Sequence, residues 1–242
     1  MPIIFPGALL RPGSIRPALM GQDVGGGATL VGPEQTAELS GGGWWTLDYD
    51  LGDRPGVNRL KLIRAMLMQM RGGTAEVVMP FVDEPQAPWP AGYGPGTPGG
   101  AGPTLTPFSD DSPFSDGAMF SQPRIRFTLA APIAENATEA TLTRVAGGDL
   151  IGGELLTFDH AVAGPRAYCL DSVEQTGADT FTIGFGPPAR EAEGAGVLAD
   201  FENPRCVMKM LASGSAWPTI TRGWKAASSM RFVESFDYLA EA

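Results

Sequence analysis

Hydrophobic and polar residues alternate over short segments through most of the chain, a pattern typical of half-buried β-strands. In segment 44–51, Trp45, Leu47, Tyr49 and Leu51 are separated mainly by polar residues, and three glycines precede the segment. Similar segments predict strands at 75–82, 125–129, 141–143, 154–158, 167–173, 180–185, 197–201, 206–211, 219–221 and 230–238. Apolar runs broken by glycine and proline occupy 3–10, 28–31 and 37–39. The chain is therefore predicted to be mainly β.

Between residues 57 and 70 the spacing changes to that of an α-helix. Apolar residues recur three or four positions apart, at Leu60, Ile63, Met66, Leu67 and Met70. Asp53 and Pro55 suit a helix start, while Arg71 and the two glycines after it suit a helix end. Leu62 and Met68 lie outside the apolar stripe, where a surface helix carries polar side chains. Either another part of the same chain or a neighbouring subunit could bury these two side chains. They are therefore the candidate subunit-interface residues.

Glycine and proline are abundant, with 33 and 22 residues, and they shorten regular elements. They concentrate at 85–123, where we predict a long loop without regular structure whose aromatic residues pack on another part of the protein. The five strands predicted after this loop suit a small β-barrel of the OB type or a sandwich. We therefore predict one discontinuous domain, residues 1–84 and 193–242, interrupted by the loop and by an inserted barrel at 124–192.

The charge of the chain restricts its partners. The formal net charge is −10 and the sequence pI is about 4.6, whereas tight binding of duplex DNA requires lysine and arginine against the phosphates. DNA fits only as a passing cargo, because a conduit works better when DNA does not adhere to its wall. Prolines near the N-terminus argue against a signal peptide. No apolar stretch reaches the roughly 18 residues of a membrane span, so we expect folding in a cytoplasm and no membrane partner.

The reactive side chains do not form a recognisable active site. His160 follows Asp159, but neighbouring residues of a strand point to opposite faces. We therefore expect a turn or surface histidine, and not the base of a triad with Ser172 or Cys169 as nucleophile. Two cysteines, Cys169 and Cys206, are too few for a disulfide framework or a zinc site, and we expect two buried thiols. The chain is predicted not to be an enzyme.

Metal and phosphate sites are not predicted either. Asp110, Asp111 and Asp116 cluster in the predicted loop without the spacing of an EF-hand, so we expect solvated acids. The glycine-rich stretch 25–32 lacks the Lys-Ser/Thr end and the following helix of a phosphate-binding loop, and it predicts a turn. No cofactor is expected.

Several motifs follow one another in an informative order. They are Trp44-Trp45-Thr-Leu, the helix ending Met70-Arg-Gly-Gly, Val77-Val-Met-Pro-Phe with Asp83, Ala137-Thr-Glu-Ala-Thr-Leu, Gly152-Gly-Glu-Leu-Leu-Thr-Phe, Arg166-Ala-Tyr, Phe201-Glu-Asn-Pro-Arg-Cys-Val-Met-Lys-Met, and Trp217-Pro through Phe232-Val-Glu-Ser-Phe. In this order the chain resembles the distal tail proteins (minor tail proteins) of long-tailed, non-contractile phages and of related gene transfer agents. The resemblance covers most of the chain outside residues 85–123.

The resemblance implies a tail-tube-like β-sandwich with one flanking α-helix and an inserted, OB-like β-barrel. It also implies a homo-hexamer, a ring in the virion at the tail tip that joins the tail tube protein to the baseplate hub protein. The tape-measure protein and DNA would pass through the lumen of this ring, and assembly would take place in the host cytoplasm.

Two other functions stay open. One is a carbohydrate-binding or carbohydrate-active β protein that grips a host surface glycan. A sugar site needs tryptophan or tyrosine close to acids and amides, and the predicted insert contains Tyr168 but no tryptophan. The other is a tube or terminator subunit of the same tail, and the inserted domain speaks against it.

Overall fold

The computed structural model describes residues 3–10, 12–21, 23–25, 36–38, 42–52, 54–55, 57–81, 84–91, 93–94, 104–106, 120–122, 125–211, 217–221 and 225–237. Across these ranges the chain is mainly β, as predicted. The strands are β1 (Ile3–Ile4), β2 (Ser14–Met20), β3 (Asp23–Gly25), β4 (Thr36–Glu38), β5 (Trp44–Asp50), β6 (Arg54–Pro55), β7 (Glu76–Pro80), β8 (Thr104–Thr106), β9 (Phe120–Gln122), β10 (Arg126–Leu129), β11 (Glu139–Ala146), β12 (Leu155–His160), β13 (Gly164–Gln175), β14 (Thr180–Gly186), β15 (Leu198–Ala199), β16 (Arg205–Met210), β17 (Thr219–Thr221), β18 (Lys225–Ala227) and β19 (Ser229–Glu234). The helices are α1 (Gly7–Leu10) and α2 (Val57–Gln69), with 3₁₀ turns at Arg71–Gly73 and Glu84–Gln86.

The first sheet combines strands from both ends of the chain, in the order β1-β7-β16-β19-β5-β2. β1 and β7 are parallel, and the other neighbours are antiparallel. Alternation along β5 buries Trp45, Leu47 and Tyr49 on one face. The opposite face carries charged pairs such as Asp48 with Arg231, whose atoms lie 2.8 Å apart. The sheet therefore has one apolar face and one polar face.

Helix α2 covers part of the apolar face of the first sheet. The buried side chains of its predicted stripe are Leu60, Ile63, Met66 and Leu67, and Met70 directly after the helix is also buried. Arg59 donates hydrogen bonds to the carbonyl oxygens of Leu10 and Leu51, which ties the start of the helix to its neighbours. The helix is followed by a turn in which Gly72 has a φ of 68°, a conformation that glycine adopts at little cost. The predicted helix at 57–70 is confirmed to within one residue.

The second sheet is nearly closed into a barrel. Its six strands are antiparallel neighbours in the order β12-β13-β14-β11-β10-β15. The backbones of Thr157 in β12 and Asp200 after β15 exchange hydrogen bonds of 2.9 and 3.0 Å, which brings the first and last strands together. A mainly β fold with a flanking helix and a barrel-like sheet is thus confirmed.

The cores of the two sheets have different compositions. The first core contains buried sulfur atoms in Met66, Met70, Met79, Cys206, Met208, Met210 and Met230. The second core, inside the barrel, contains no methionine among its described members and is dominated by Phe127, Phe158, Tyr168, Phe181, Phe185 and Phe201. Aromatic rings prefer particular packing angles, whereas methionine adapts to irregular spaces.

The structure contains strands that the sequence pattern did not predict. The pattern missed β2, which pairs with β5 at the sheet edge. Arg16 and Pro17 interrupt its apolar residues, and an edge strand tolerates proline because one side of the strand needs no donor. The prediction that residues 85–123 lack regular structure is wrong at β8 and β9, which pair with each other. Trp89 packs against the second core, as expected for an aromatic residue of this segment.

The barrel extends further along the chain than the predicted insert. The prediction gives residues 193–242 to the first domain, but β15 hydrogen-bonds to β10 of the barrel and Phe201 lies in the second core. The chain returns to the first sheet at β16. The predictions at 28–31, Asp53 and Asp83, and most of the glycine-rich stretch 25–32, concern residues outside the described ranges.

Candidate functional site

The two candidate interface residues lie on different sides of α2. Leu62 is half-buried and packs against the first core, so the chain's own fold supplies part of its cover. Met68 is 67% exposed, beside the exposed cations Arg64 and Arg71. Of the two side chains, Met68 is the one available to another molecule. An interface role for either residue stays a prediction.

A buried ion cluster joins the barrel to the first sheet. Glu234 of β19 has a side chain that is only 1% exposed. Its two carboxylate oxygens accept hydrogen bonds from Arg190 at 3.1 Å each, and one of them also accepts a bond from Arg166 of β13 at 3.4 Å. The backbone N–H of Trp45 donates to the same carboxylate at 3.1 Å. Trp45, Arg166, Arg190 and Glu234 are termed the seam cluster below.

The two arginines of the seam cluster also bind carbonyl oxygens on both sides of the seam. Arg166 donates to Ser235 at 2.6 Å and to Ala163 at 3.0 Å, and Arg190 donates to Gly43 at 2.7 Å. The indole N–H of Trp45 donates to the carbonyl of Ala167 in the barrel at 2.8 Å. The ring of Phe236 lies 5.0 Å from the guanidinium of Arg190. Buried charges are costly unless they are fully paired, so these contacts fix the barrel on the sheet in one orientation.

His160 extends this polar network inside the barrel. The prediction of a turn or surface histidine is wrong, because His160 is the last residue of β12 and is only 5% exposed. Its Nδ1 lies 2.5 Å from a carboxylate oxygen of Glu193, and its Nε2 lies 2.6 Å from the hydroxyl of Tyr168. That hydroxyl accepts the backbone N–H of Arg190 at 3.0 Å. Asp159 faces away and pairs with Arg205 at 2.5 Å, as the alternation of the strand predicts.

The geometry around His160 suits a neutral imidazole. Nδ1–H donates a hydrogen bond to Glu193, and the unprotonated Nε2 accepts one from the hydroxyl of Tyr168. The N–H of the imidazole and the O–H of the tyrosine are thus both satisfied. Burial lowers the pKa of His160 below its ordinary value, against the opposing effect of Glu193. Burial also raises the pKa of Tyr168, which keeps its hydroxyl as a donor.

The thiol and hydroxyl considered as nucleophiles have other partners. Ser172 donates to Asp171 at 2.8 Å on the exposed part of β13. Cys169 is half-buried against the first core, and Cys206 is fully buried there. Burial raises the pKa of the Cys206 thiol to about 12, so this thiol stays protonated and unreactive. The contacts of His160 are those of a structural network, and the expectation that the chain is not an enzyme stays a prediction.

An open groove lies on the rim of the barrel. It encloses about 660 Å³ and is lined by Trp89 and by the turn that follows β11. Arg144, on the same rim, pairs with Asp149 at 2.6 Å and with Asp179 at 3.0 Å. Ile151 beside them is 87% exposed. The groove therefore combines an aromatic ring, an exposed aliphatic side chain and a charged triplet.

Neither a metal centre nor a membrane helix is found in the described part of the chain. Its single histidine, its cysteines and its acids form no group of three able to hold a metal ion. The predicted acidic cluster of Asp110, Asp111 and Asp116 lies outside the described residues. Within the same limits, no helix is both long enough and apolar enough to cross a membrane.

Sequence reasoning missed the seam cluster, although the strand pattern contained a signal for it. Glu234 has the same parity along β19 as the buried Met230 and Phe232. His160 likewise has the parity of Phe158 in β12. A charged or polar residue at an inward position of an alternating strand indicates a buried partner elsewhere in the chain. No protein-family model matches the chain, and comparison with curated proteins gives no relative.

Proposed function

We propose that this chain is a structural protein of a phage tail tip, which forms a ring joining the tail tube to the baseplate hub. The supporting observation is the interrupted topology. Strands from residues 3–80 and 205–234 form one helix-flanked sheet, and the barrel at 125–201 is inserted between them. The resemblance to distal tail proteins implies a helix-flanked domain with an inserted barrel in this order.

The seam and the charge of the chain agree with this role. A ring subunit transmits load between its neighbours, and a fully paired ion cluster holds the barrel in a fixed orientation on the sheet. The net charge of −10 lets DNA pass without adhering. In this function the tail tube protein, the hub protein and the tape-measure protein are the partners.

Electron microscopy of the purified protein tests the proposal. We expect six-fold rings with a central lumen, and a matching oligomer in sedimentation velocity. Long tubes would assign the chain to the tail tube instead. A species that stays monomeric at high concentration and fails to join tails in a reconstitution with the tube and hub proteins would rule out the tail-tip role.

The rim groove favours a second candidate, a carbohydrate-binding function. The insert itself has no tryptophan, but Trp89 from the preceding segment lines the groove near Asp149 and Asp179. Aromatic faces beside carboxylates are suited to sugar rings. This function is compatible with a place on the virion surface.

A glycan array with the wild-type protein and a Trp89→Ala variant tests this candidate. Binding that Trp89→Ala abolishes supports it, while Trp217→Ala serves as the matched control because Trp217 is 53% exposed and lies outside the groove. An array without binding, together with no depolymerisation of bacterial polysaccharides, would exclude it.

A further inference from the structure

The basic residues of this acidic protein are unevenly distributed. Residues 54–75, which contain α2, include five basic and no acidic residues. The barrel segment 125–201 includes four arginines against eleven acidic residues, and two of these arginines, Arg166 and Arg190, belong to the seam cluster. The chain therefore has a basic helix at one place and an acidic barrel at another.

The outward side of α2 and the turn after it present three of these positive charges to solvent. Lys61, Arg64 and Arg71 are exposed, and Met68 lies among them at helical spacing. No described residue forms an ion pair with any of the three cations. These four side chains are termed the basic face. An exposed methionine surrounded by unpaired cations is the composition of a contact surface, because methionine and arginine are suited to interfaces.

The outer side of the barrel presents the complementary charge. Glu139 of β11 lies opposite Gly184 of β14, and Gly184 lies opposite Ser172 of β13. In the neighbouring row, Glu174 of β13 lies opposite Thr182 of β14. The side chains of Asp171 and Ser172 lie over Gly184. A Cβ added at Gly184 would lie 2.2 Å from a side-chain oxygen of each. Glu139, Asp171 and Glu174 are all exposed, and none forms an ion pair with a described residue. These three acids are termed the acidic face.

We propose that the basic face of one copy of this chain docks on the acidic face of a neighbouring copy. The inference rests on the proposed ring, whose closure requires a head-to-tail contact between two different patches of the same chain. Opposite charge steers such a contact and fixes its register. Met68 fills the centre of the basic face and is excluded from water when the faces meet.

A charge-swap experiment tests the contact. We expect that Lys61→Glu with Arg64→Glu raises the concentration for half-assembly about a hundredfold, because like charges then oppose each other. Glu139→Lys with Glu174→Lys should do the same. Combining the four substitutions should restore assembly. The matched controls are Arg126→Glu and Glu135→Lys, which reverse exposed charges outside both faces and should leave assembly unchanged.

The outcomes separate this inference from the proposed function. Rings that form equally well in both reversal variants would overturn the contact and leave the tail-tip role standing. Disrupted rings that the combined variant does not restore would also overturn it, since the basic face then binds another partner. A wild-type protein that never forms rings would overturn both. Retention of duplex DNA by the wild type, lost in Lys61→Glu with Arg64→Glu, would identify the basic face as a nucleic-acid surface instead. Circular dichroism confirms that each variant is folded.

Discussion

Each of the two cores buries one tyrosine completely, and the two tyrosines have opposite polar surroundings. Tyr168 in the barrel donates its hydroxyl proton to His160 and accepts an N–H from Arg190. Tyr49 in the first core is equally buried, but its hydroxyl has no hydrogen-bond partner among the described residues. Burial alone raises the pKa of Tyr49 to about 12. The barrel is thus specified by polar contacts as well as packing, whereas the first core relies on apolar packing around α2.

The apolar side chains that fill the two cores also differ. In the barrel, Phe127 and Phe201 have ring centroids 5.2 Å apart, and Tyr168 and Phe185 have centroids 5.3 Å apart. The first core also contains ring pairs, such as Phe5 with Tyr49 at 4.9 Å, but six methionines pack among its buried residues. An aromatic core with defined ring angles resists repacking, while a methionine-rich core adjusts to small changes of shape.

The largest effect is expected from truncating an aromatic side chain of the barrel. Phe127 is fully buried between Phe181 and Phe201. Phe127→Ala should lower the free energy of unfolding by about 3–5 kcal/mol. Phe232→Ala in the first core is the matched variant because Phe232 is also fully buried, and it should cost less, since the neighbouring methionines can close part of the cavity. Urea denaturation followed by circular dichroism measures both. Equal losses in the two variants would contradict the difference between the cores.

The seam cluster gives the next largest effect. Glu234→Gln leaves the buried Arg166 and the half-buried Arg190 without a counter-charge and should cost about 3 kcal/mol. It should also loosen the barrel from the sheet, so that two unfolding transitions replace one. Asp48→Asn, which breaks the exposed pair with Arg231, is the control and should change the stability by less than about 1 kcal/mol. A single transition of unchanged midpoint in Glu234→Gln would show that the cluster does not couple the two parts.

The tyrosine hydroxyls provide a direct test of the comparison. Tyr168→Phe leaves His160 and the N–H of Arg190 without their partner and should cost about 1–2 kcal/mol. Tyr49→Phe removes an orphan hydroxyl, so it should cost nothing or stabilise the protein by up to about 1 kcal/mol. Both values come from the same denaturation measurement. A loss of stability in Tyr49→Phe as large as that in Tyr168→Phe would refute the difference.

The smallest effect concerns pH and the barrel alone. Burial lowers the pKa of His160 below 6.5, against Glu193, while Glu191 and Arg166 are the other charges that act on it. Near pH 6.5, His160 therefore binds a proton in the unfolded chain but stays neutral in the folded chain. The stability contributed by neutral His160 is therefore present above pH 6.5 and lost as the pH falls below it.

Denaturation curves between neutral and mildly acidic pH measure this slope. His160→Gln should flatten it, and Asp159→Asn, at the neighbouring outward position, should leave it unchanged. A slope of the same size in His160→Gln would assign the pH dependence to other groups.

The elements of this fold are largely predictable from sequence because periodicity is a local property. The residue spacing around Trp45 predicts a strand and that around Leu67 predicts a helix, without knowledge of the rest of the chain. The seam is not predictable in the same way, because Glu234 lies 44 residues from Arg190 and 68 from Arg166. Only the finished fold brings them together. Strand β2 was missed for a different reason, since an edge strand can include Pro17 where an interior strand cannot.

The place where the chain leaves and re-enters the first sheet has a consequence for the evolution of the protein. Pro80 at the end of β7 pairs with Arg205 at the start of β16, and the N–H of Phe81 donates to the carbonyl of Pro204 at 2.8 Å. For the first sheet, residues 82–203 amount to a single connection between two adjacent antiparallel strands. The entropy of closing a connection grows only slowly with its length. Evolution can therefore lengthen this connection at little cost, whereas exchanging or deleting it requires a compensating change at Glu234, whose buried carboxylate pairs with Arg166 and Arg190 of the connection.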